Sequence, residues 1–367
     1  MTAESVQYFN RVHAANISNC LMNCESSYFS PEAINFATFW VGAWSTLCCL
    51  STILTVITYI IDMGRFVYPE KSIIFLAACY FMVSIGYIIM LLAGRENVGC
   101  DGQFVRPNMT APATCTIVFL LIYFFGMAAC IWWVILSFTW FLAAGLKWSH
   151  EAIASYSLYF HLTAWLLPTI KSITVLAVSG VDGDPVAGIC YVGNQNTTNL
   201  WAFILAPLFL YLILGLSFLS AGLINLFRIR EAIRQQGDQK TEKLEKLIIK
   251  LGVFSVLYTI PAIIVIACHL YEQHFKEMWD ASIACPCGAN PVRPDYLVFM
   301  LKYFMYHIVG ITSGFWIWSG KTLTAWRSFC SRILCRKRPR DKFTAISYTR
   351  AASIPTSSTK SSSLSSV

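Results

Sequence analysis

Charged residues are scarce in this sequence, and the alternation of polar and apolar residues that a membrane β-barrel needs is absent. Only 13% of the 367 residues are Asp, Glu, Lys or Arg, whereas 56% are hydrophobic. The charged share is about half of that in soluble globular domains. The composition therefore argues against a soluble domain and indicates a membrane protein whose crossing segments are helices.

Motifs that mark the common enzyme classes are also missing. The sequence contains no HExxH, no P-loop and no G-x-S-x-G pattern, and its six histidines are scattered along the chain. Such motifs carry metal-dependent hydrolysis, phosphate binding and nucleophilic attack. We therefore expect a protein that is not an enzyme, that holds no metal or other cofactor and that has no nucleic acid among its partners.

The sequence does contain seven long apolar runs. Each is long enough for a helix that crosses a hydrocarbon core, which takes about 20 residues. The runs span 38–61, 72–93, 114–142, 157–178, 200–227, 248–270 and 295–318. They predict an all-α membrane protein with a seven-transmembrane helix bundle over residues 38–319, preceded by an extracellular linker at residues 1–37.

The distribution of Lys and Arg predicts the orientation of this bundle. If the N-terminus lies outside the cell, 20 of the 27 Lys and Arg residues fall on the inner side and only five on the outer side. Cytoplasmic segments of membrane proteins carry such an excess. The sequence therefore predicts a multi-pass protein of the plasma membrane with an extracellular N-terminus.

Three glycosylation sequons agree with that orientation. They begin at Asn16, Asn108 and Asn196, and all three lie in segments that the charge count places outside, where an acceptor asparagine must lie. Residues 1–30, however, are polar and lack the apolar centre of a signal peptide. We expect either that the first span acts as the signal or that the chain has lost an upstream part.

Several cysteines lie in the outer segments, on the oxidising side of the membrane. Cys115 opens the third span and Cys190 precedes the fifth, so a bridge between them would tie the second outer loop to the bundle. Cys24 could reach Cys100 and hold the N-terminal segment to the first outer loop. Pairing cannot be deduced from sequence alone, and free thiols are the alternative for each residue.

A further bridge is expected near the sixth span. Cys285 and Cys287 are separated by a single proline, which leaves them too close for an easy mutual bridge. Cys268 lies near the outer end of the predicted sixth span. We therefore predict that one of the pair, with Cys285 as our choice, bonds to Cys268.

Ionisable residues within the predicted spans are functional candidates by default. Lys302 and His307 lie in the seventh span, and Lys171 and His161 lie in the fourth. Lys302 is close enough to the outer end of its span to reach outward to the interface. We therefore expect Lys302 to snorkel and give these four residues only a minor role in ligand binding.

Residues 320–336 have the pattern of an amphipathic helix that lies along the inner membrane surface. Apolar side chains recur at helical spacing at Leu323, Trp326, Phe329, Cys330 and Ile333. Tryptophan suits the headgroup level, and the basic cluster that follows suits anionic lipid. Cys330 and Cys335 are candidates for palmitoylation. From this pattern alone the segment is a membrane anchor.

Residues 337–367 form a serine-rich tail that cannot build a core and is expected to be disordered. The last three residues, Ser365, Ser366 and Val367, have the form of a C-terminal ligand for PDZ domains. Serine-rich tails also produce this pattern by chance.

Several long motifs, read together, resemble the Frizzled family of seven-helix receptors. They are "DMGRFVYPEKSIIFLAACY", "WWVILSFTWFLAAGLKWSHEAI", "TEKLEKLIIKLGVFSVLYTIPA" and "VGITSGFWIWSGKT". They occur in order and at matching membrane depths, and the resemblance covers roughly residues 20 to 335. It implies a receptor that transmits Wnt signals to Dishevelled, with heterotrimeric G proteins and PDZ proteins as further partners.

The resemblance also implies roles for particular residues. Lys321, Thr322 and Trp326 match the family's KTxxxW motif, which is required for recruiting Dishevelled. Lys250 and Trp316 match a basic residue and a tryptophan that act as a switch between the sixth and seventh helices. A cation over an indole face contributes about 0.5–2 kcal/mol. The alternative is that Lys250 snorkels and Trp316 only packs.

The chain departs from the family pattern at its N-terminus. Frizzled receptors begin with a signal peptide and a cysteine-rich domain that grips the Wnt lipid, and residues 1–35 resemble only the linker that follows that domain. The linker's partner for Cys20 is missing. We therefore expect a truncated chain, and we expect Wnt binding only if such a domain exists upstream.

Two other functions remain alternatives. A chain without its ligand domain could be a non-signalling decoy or scaffold. A seven-helix transporter or channel would need internal repeats and broken helices at mid-membrane, and the sequence shows neither. Smoothened, a cousin of the Frizzleds, is less favoured because of the KTxxxW motif and the PDZ-like end.

Overall fold

The structure is a computed structural model, and it describes most of the predicted bundle. It covers residues 13–14, 17–18, 22–25, 28–107, 112–235, 241–284, 292–317 and 320–335. Within these ranges the side chains at 13–18, 229–230, 232–256, 283–284, 315–321 and 332–335 lie outside the description. The chain divides into two units, Met1–Trp326 and Arg327–Val367, and the bundle belongs to the first.

Long helices form where the apolar runs predict them. They are α1 (Pro31–Ile61), α2 (Glu70–Ala93), α3 (Ala113–Gly145), α4 (Ser157–Ala177), α5 (Thr197–Arg228, continuing to Gln235), α6 (Thr241–Ala284), α7 (Tyr296–Ile317) and α8 (Gly320–Cys335). In the described part of the chain, α1 to α5 and α7 are long and apolar enough to cross a membrane. The predicted sixth span, 248–270, lies within α6. The predicted seven-helix class is confirmed.

The start of α1 shows why a helix begins where it does. Ser30 has an extended backbone, and its Oγ accepts a hydrogen bond from the backbone N–H of Ala33 at 3.3 Å. Pro31 follows at the first helical position, where its missing N–H leaves no bond unmade. Both residues are favoured at these helix positions, so the helix begins seven residues before the predicted span.

The sixth helix is longer than predicted at its outer end. The apolar run ends near residue 270, but α6 continues to Ala284. Glu272, Lys276 and Asp280 follow one another at intervals of four residues, so they share one face of the helix. All three side chains are almost entirely buried. This end of α6 therefore combines polar packing with apolar burial, since Trp279 on the same segment is 2% exposed.

The core is built around α3. This helix packs against α2, α4 and α5, while α7 packs against α1, α2 and α6. Trp133 on α3 is buried, and its ring stacks on that of Tyr258 from α6 at 4.5 Å between centroids. Gly215 makes room for this indole on α5, because a Cβ there would lie 2.0 Å from the ring of Trp133.

Short antiparallel strand pairs lie in the outer segments of the described chain. They are β1 (His13–Ala14) with β2 (Ile17–Ser18), β3 (Cys100–Asp101) with β4 (Phe104–Val105), and β5 (Val181–Gly183) with β6 (Cys190–Val192). The loops pack closely, since a Cβ on Gly183 would lie 2.1 Å from the carbonyl oxygen of Gly99. These loops cover the outer end of the bundle.

Candidate functional site

Two disulfides are present among the described residues, and both lie in the outer segments. Cys115 at the start of α3 is bonded to Cys190 of β6, with 5.3 Å between the Cα atoms. Cys24 is bonded to Cys100 of β3, with 6.1 Å between the Cα atoms. These are two of the pairings that the sequence leaves open. They fit the oxidising side of the membrane, so we call this end of the bundle the outer end.

The predicted bridge of Cys268 does not form, and this part of the prediction is wrong. Cys268 has a free thiol and is buried in α6. Because α6 continues to Ala284, the end of the helix lies about 24 Å along the axis from Cys268. A disulfide needs Cα atoms within about 7 Å. Cys285 itself lies outside the described residues.

The hairpin of β5 and β6 is fastened by two buried carboxylates. Asp184 accepts hydrogen bonds from the backbone N–H groups of Val186 at 2.7 Å and Ala187 at 2.9 Å. Its second oxygen accepts a bond from the hydroxyl of Tyr303 on α7 at 2.9 Å. The loop is thereby tied to α7 as well as to α3.

Asp182 organises the other side of this loop. Its oxygens accept bonds from the side-chain amide of Asn194 at 2.8 Å and from the backbone N–H of Gln195 at 2.8 Å. Burial raises the pKa of Asp182 to about 7, although these hydrogen bonds favour the ionised form and lower it in part. The carboxyl group therefore titrates near neutral pH.

A buried ion pair joins α6 to α7 at the outer end. The Nζ of Lys302 donates to Oε1 of Glu272, and the two residues are only 6% and 9% exposed. The Nδ1 of His269 lies 3.5 Å from the other oxygen of Glu272. The expectation that Lys302 snorkels outward is wrong, because the extension of α6 supplies a carboxylate within the bundle.

A second buried group joins α6 to the segment before α1. The hydroxyl of Tyr28 donates to Oδ1 of Asp280 at 2.7 Å, and the Nζ of Lys276 donates to the same hydroxyl at 3.1 Å. The Tyr28 ring meets Trp279 edge to face at 6.0 Å. Burial raises the pKa of Tyr28, so the phenol stays protonated and remains a donor. We call Glu272, Lys276, Asp280, Lys302 and Tyr28 the outer charge cluster.

At the opposite end, the first turns of α8 contact α1 and the loop that follows it. The indole Nε1 of Trp326 donates to Oγ1 of Thr58 at 2.9 Å. The guanidinium of Arg65 donates to Oγ1 of Thr322 at 3.1 Å. Thr58 and Thr322 are 3% and 4% exposed. We call these two hydrogen bonds the inner contact.

The structure thus places two residues of the predicted Dishevelled motif against the bundle. Thr322 and Trp326 are four residues apart and share a face of α8. The side chain of Lys321 lies outside the description, as do those of Lys250 and Trp316 in the predicted switch and that of Cys335. Residues 365–367 lie outside the described chain as well.

The predicted glycosylation and palmitoylation sites are only partly within the described residues. Asn196 is exposed and begins α5, where its Oδ1 accepts bonds from the N–H groups of Thr198 and Asn199. Its amide nitrogen, the atom that carries a glycan, takes no part in that cap. Cys330 is exposed. Asn16 and Asn108 lie outside the described residues.

The remaining intramembrane candidates pack against aromatic rings. His307 is fully buried, its Nδ1 lies 2.7 Å from the carbonyl oxygen of Tyr303, and its ring meets that of Tyr87 at 4.7 Å. His161 packs edge to face on Trp132. The Nζ of Lys171 lies 5.8 Å from the ring centre of Tyr211.

Sequence reasoning missed several residues that hold these sites together. Glu272 and Asp280 were assigned to an outer loop, although their spacing of four from Lys276 was a helical signal. Tyr28, Thr58 and Arg65 carried no signal, because each makes a contact with a residue more than 200 positions away.

Comparison with known proteins gives the same family from a family model and from individual relatives. Residues 28–333 match the family described as the Frizzled/Smoothened family membrane region. The chain is 59% identical to Frizzled-5 of Xenopus laevis over 341 residues, which are 92% of this chain and 61% of that protein. It is 61% identical to Frizzled-8 of Xenopus laevis over 334 residues, which are 88% of this chain and 57% of that protein.

Human Frizzled-5 is 57% identical over 342 residues, covering 91% of this chain and 58% of that protein. The chain therefore spans about six tenths of the length of these relatives. Among solved structures, squid rhodopsin matches with a TM-score of 0.59, covering 87% of this chain and 91% of that one at 12% identity. At that identity the likeness concerns the seven-helix fold alone.

Proposed function

The chain belongs to the Frizzled family of multi-pass plasma-membrane receptors, and we propose that it passes Wnt signals across the membrane to Dishevelled through Lys321, Thr322 and Trp326. The observation that carries this proposal is the inner contact. Thr322 and Trp326 hold the start of α8 against the bundle through Arg65 and Thr58. A motif held in this way has a defined position at the inner end of the receptor, where a cytoplasmic partner would meet it.

Lys321 is the residue of the motif that we assign to the partner. It directly precedes Thr322 in the sequence, at the start of α8. A lysine at the junction of α7 and α8 can meet an acidic group of a cytoplasmic domain. In this proposal Thr322 and Trp326 place the helix, and Lys321 recognises Dishevelled.

Three further functions extend the proposal. Lys250 and Trp316 form a cation–π latch between α6 and α7, whose opening lets a heterotrimeric G protein engage. Ser365, Ser366 and Val367 bind a PDZ domain by strand addition. Wnt capture belongs to the cysteine-rich domain that such receptors carry in front of the linker.

The test is recruitment of Dishevelled to the plasma membrane in cells that express the receptor. Lys321→Ala and Trp326→Ala should each abolish recruitment at unchanged surface level. Lys321→Glu should reduce it at least as far, because it repels both anionic lipid and an acidic partner. Ser331→Ala is the matched control, since the hydroxyl of Ser331 is exposed and bonds to the carbonyl of Ser328 in the same helix.

Normal recruitment by both alanine variants would refute the proposal. The segment would then be a membrane anchor and the chain a non-signalling scaffold. Loss of recruitment with Ser331→Ala as well would show that the assay responds to any change in α8 rather than to the motif.

A further inference from the structure

The hydroxyl of Thr58 has a geometry suited to holding an indole. Its Oγ1 donates to the carbonyl oxygen of Leu54, one turn earlier in α1, at 2.7 Å. That bond fixes the side-chain rotamer and uses the only hydroxyl proton. A lone pair is left to accept from another donor, and the Nε1 of Trp326 lies there at 2.9 Å.

The indole of Trp326 is therefore not used as an interfacial tryptophan is. A tryptophan in the aromatic belt directs its N–H to water and lipid headgroups. Here the N–H is directed to a threonine that is 3% exposed, and Trp326 itself is partly buried. The expectation that Trp326 lies at the headgroup level stays a prediction, and the structure adds a specific bond from its indole to α1.

We propose that Thr58 is a positioning residue for the recruitment motif, because it fixes the indole of Trp326 and with it the first two turns of α8, which contain the motif. This inference rests on the function proposed above. Trp326 then serves the receptor itself rather than touching Dishevelled. The partner binds the other side of the first two turns of α8, where Leu323 and Thr324 are exposed.

The inner contact makes this placement sensitive to one hydroxyl. Arg65 and Thr322 hold the first turn of α8, and the bond between Thr58 and Trp326 holds the second. The bond to Trp326 is the one of the two that acts on the second turn, so its loss should act on that turn first. Loss of the Thr58 acceptor should therefore change the orientation of the motif without unfolding it.

The experiment compares variants that differ by one hydroxyl or one N–H. Thr58→Val keeps the shape of the side chain and removes the acceptor, whereas Thr58→Ser keeps the acceptor. Trp326→Phe keeps an aromatic ring and removes the donor. Thr52→Val is the matched control, because Thr52 is a buried threonine of α1 whose hydroxyl also bonds the carbonyl four residues earlier, at 2.7 Å.

The experiment has two readouts, and the variants are compared in cells at equal amounts of receptor on the cell surface. Dishevelled recruitment is measured in cells, and hydrogen–deuterium exchange across residues 320–331 is measured on the purified full chain. We expect Thr58→Val and Trp326→Phe each to lower recruitment about threefold to tenfold, the factor that corresponds to one hydrogen bond. Exchange should rise by a similar factor, with Thr58→Ser and Thr52→Val close to wild type.

The double variant Thr58→Val/Trp326→Phe separates a shared bond from two independent effects. If the two residues act through one hydrogen bond, the double variant recruits no worse than the more affected single variant. Multiplied losses would overturn the inference. It would also be overturned by unchanged exchange in Thr58→Val, or by faster exchange with normal recruitment.

These outcomes are distinguishable from failure of the proposed function. A wild-type chain that recruits no Dishevelled, or normal recruitment by Lys321→Ala and Trp326→Ala, would overturn the proposed function and the recruitment role of Thr58 with it. Loss of recruitment in those two variants, together with normal recruitment in Thr58→Val, would overturn the role of Thr58 alone.

Discussion

The outer and inner ends of the bundle are held by different kinds of contact. At the outer end, two disulfides and the outer charge cluster join α3, α6, α7, the loops and the segment before α1. At the inner end, two hydrogen bonds join the start of α8 to α1 and the loop after it.

This difference separates global stability from local placement. Removing one partner of a buried ion pair costs about 3–5 kcal/mol, because the other charge is left buried and unpaired. Losing a single hydrogen bond typically costs about 0.5–1.5 kcal/mol. Variants at the outer end should therefore lower the stability of the whole bundle, whereas variants at the inner end should loosen the first turns of α8 and leave the bundle folded.

The largest effect is expected from Glu272→Gln. This change leaves the ammonium group of Lys302 buried without its carboxylate, and we expect a loss of about 3–5 kcal/mol in the free energy of unfolding. Thermal unfolding of the purified chain in detergent measures the change. Glu277→Gln is the control, because Glu277 is exposed on the same helix.

A compensating variant shows whether the lost charge pair is the cause. Glu272→Gln combined with Lys302→Met removes both charges and should recover much of the stability, since an apolar pair can replace a buried ion pair. A double variant as unstable as Glu272→Gln would instead assign the loss to packing. An unchanged melting temperature in Glu272→Gln would contradict the role given to the outer charge cluster.

The next largest effect is expected from Cys190→Ser. Loss of a native disulfide costs about 2–5 kcal/mol in small secreted domains, and here it releases the hairpin of β5 and β6 from α3. We expect a lower melting temperature and less receptor at the cell surface. Cys79→Ser is the comparison, since Cys79 is a buried free thiol of α2. Equal surface levels for wild type and Cys190→Ser would contradict this prediction.

A smaller effect is expected from pH at the outer loop. Because the pKa of Asp182 is raised to about 7 in the folded chain, against about 4 in an unfolded one, the folded state binds more protons between these values. The stabilisation is fully present below about pH 4 and is lost as pH rises through 7. We expect stability to fall by on the order of 2 kcal/mol from pH 5 to pH 7.

Asp182→Asn tests the origin of that slope. It keeps an oxygen acceptor for Asn194 and cannot ionise, so the pH dependence of the melting temperature in this range should flatten. Glu277→Gln, at an exposed position, should leave the slope unchanged. The same slope in Asp182→Asn and wild type would show that another group causes it.

The sequence predicted the helices well and the contacts between them poorly. Apolar runs of about 20 residues define spans without any knowledge of neighbours, so all seven spans were located. The extension of α6 to Ala284 was missed because its charges resemble those of an exposed loop. They become compatible with burial only when Tyr28 and Lys302, distant in sequence, supply their partners.

The candidate site shows the same limit. The amphipathic pattern after residue 320 predicted a helix there. The KTxxxW motif singled out Lys321, Thr322 and Trp326 within that helix as candidates for binding Dishevelled. The direction of the Trp326 indole depends on Thr58, which lies 268 positions earlier. Periodicity reports which face of a helix is apolar, and it contains no information on which acceptor meets a single N–H group.

The smallest effect on stability is expected at the inner contact and gives the sharpest test of the comparison. Thr322→Val keeps the shape of a buried side chain and removes the acceptor for Arg65. Because the bond from Arg65 lies at the edge of the bundle, we expect its loss to change the free energy of unfolding by less than about 1.5 kcal/mol. Hydrogen exchange across residues 320–326 should nevertheless rise several-fold, since local opening of a helix end does not require global unfolding.

Ser331→Ala, which changes an exposed hydroxyl of the same helix, should alter neither the free energy of unfolding nor the exchange rate. If Thr322→Val lowered the melting temperature as far as Glu272→Gln, the inner end would be part of the cooperative core, and the distinction between a stabilising outer end and an adjustable inner end would be wrong.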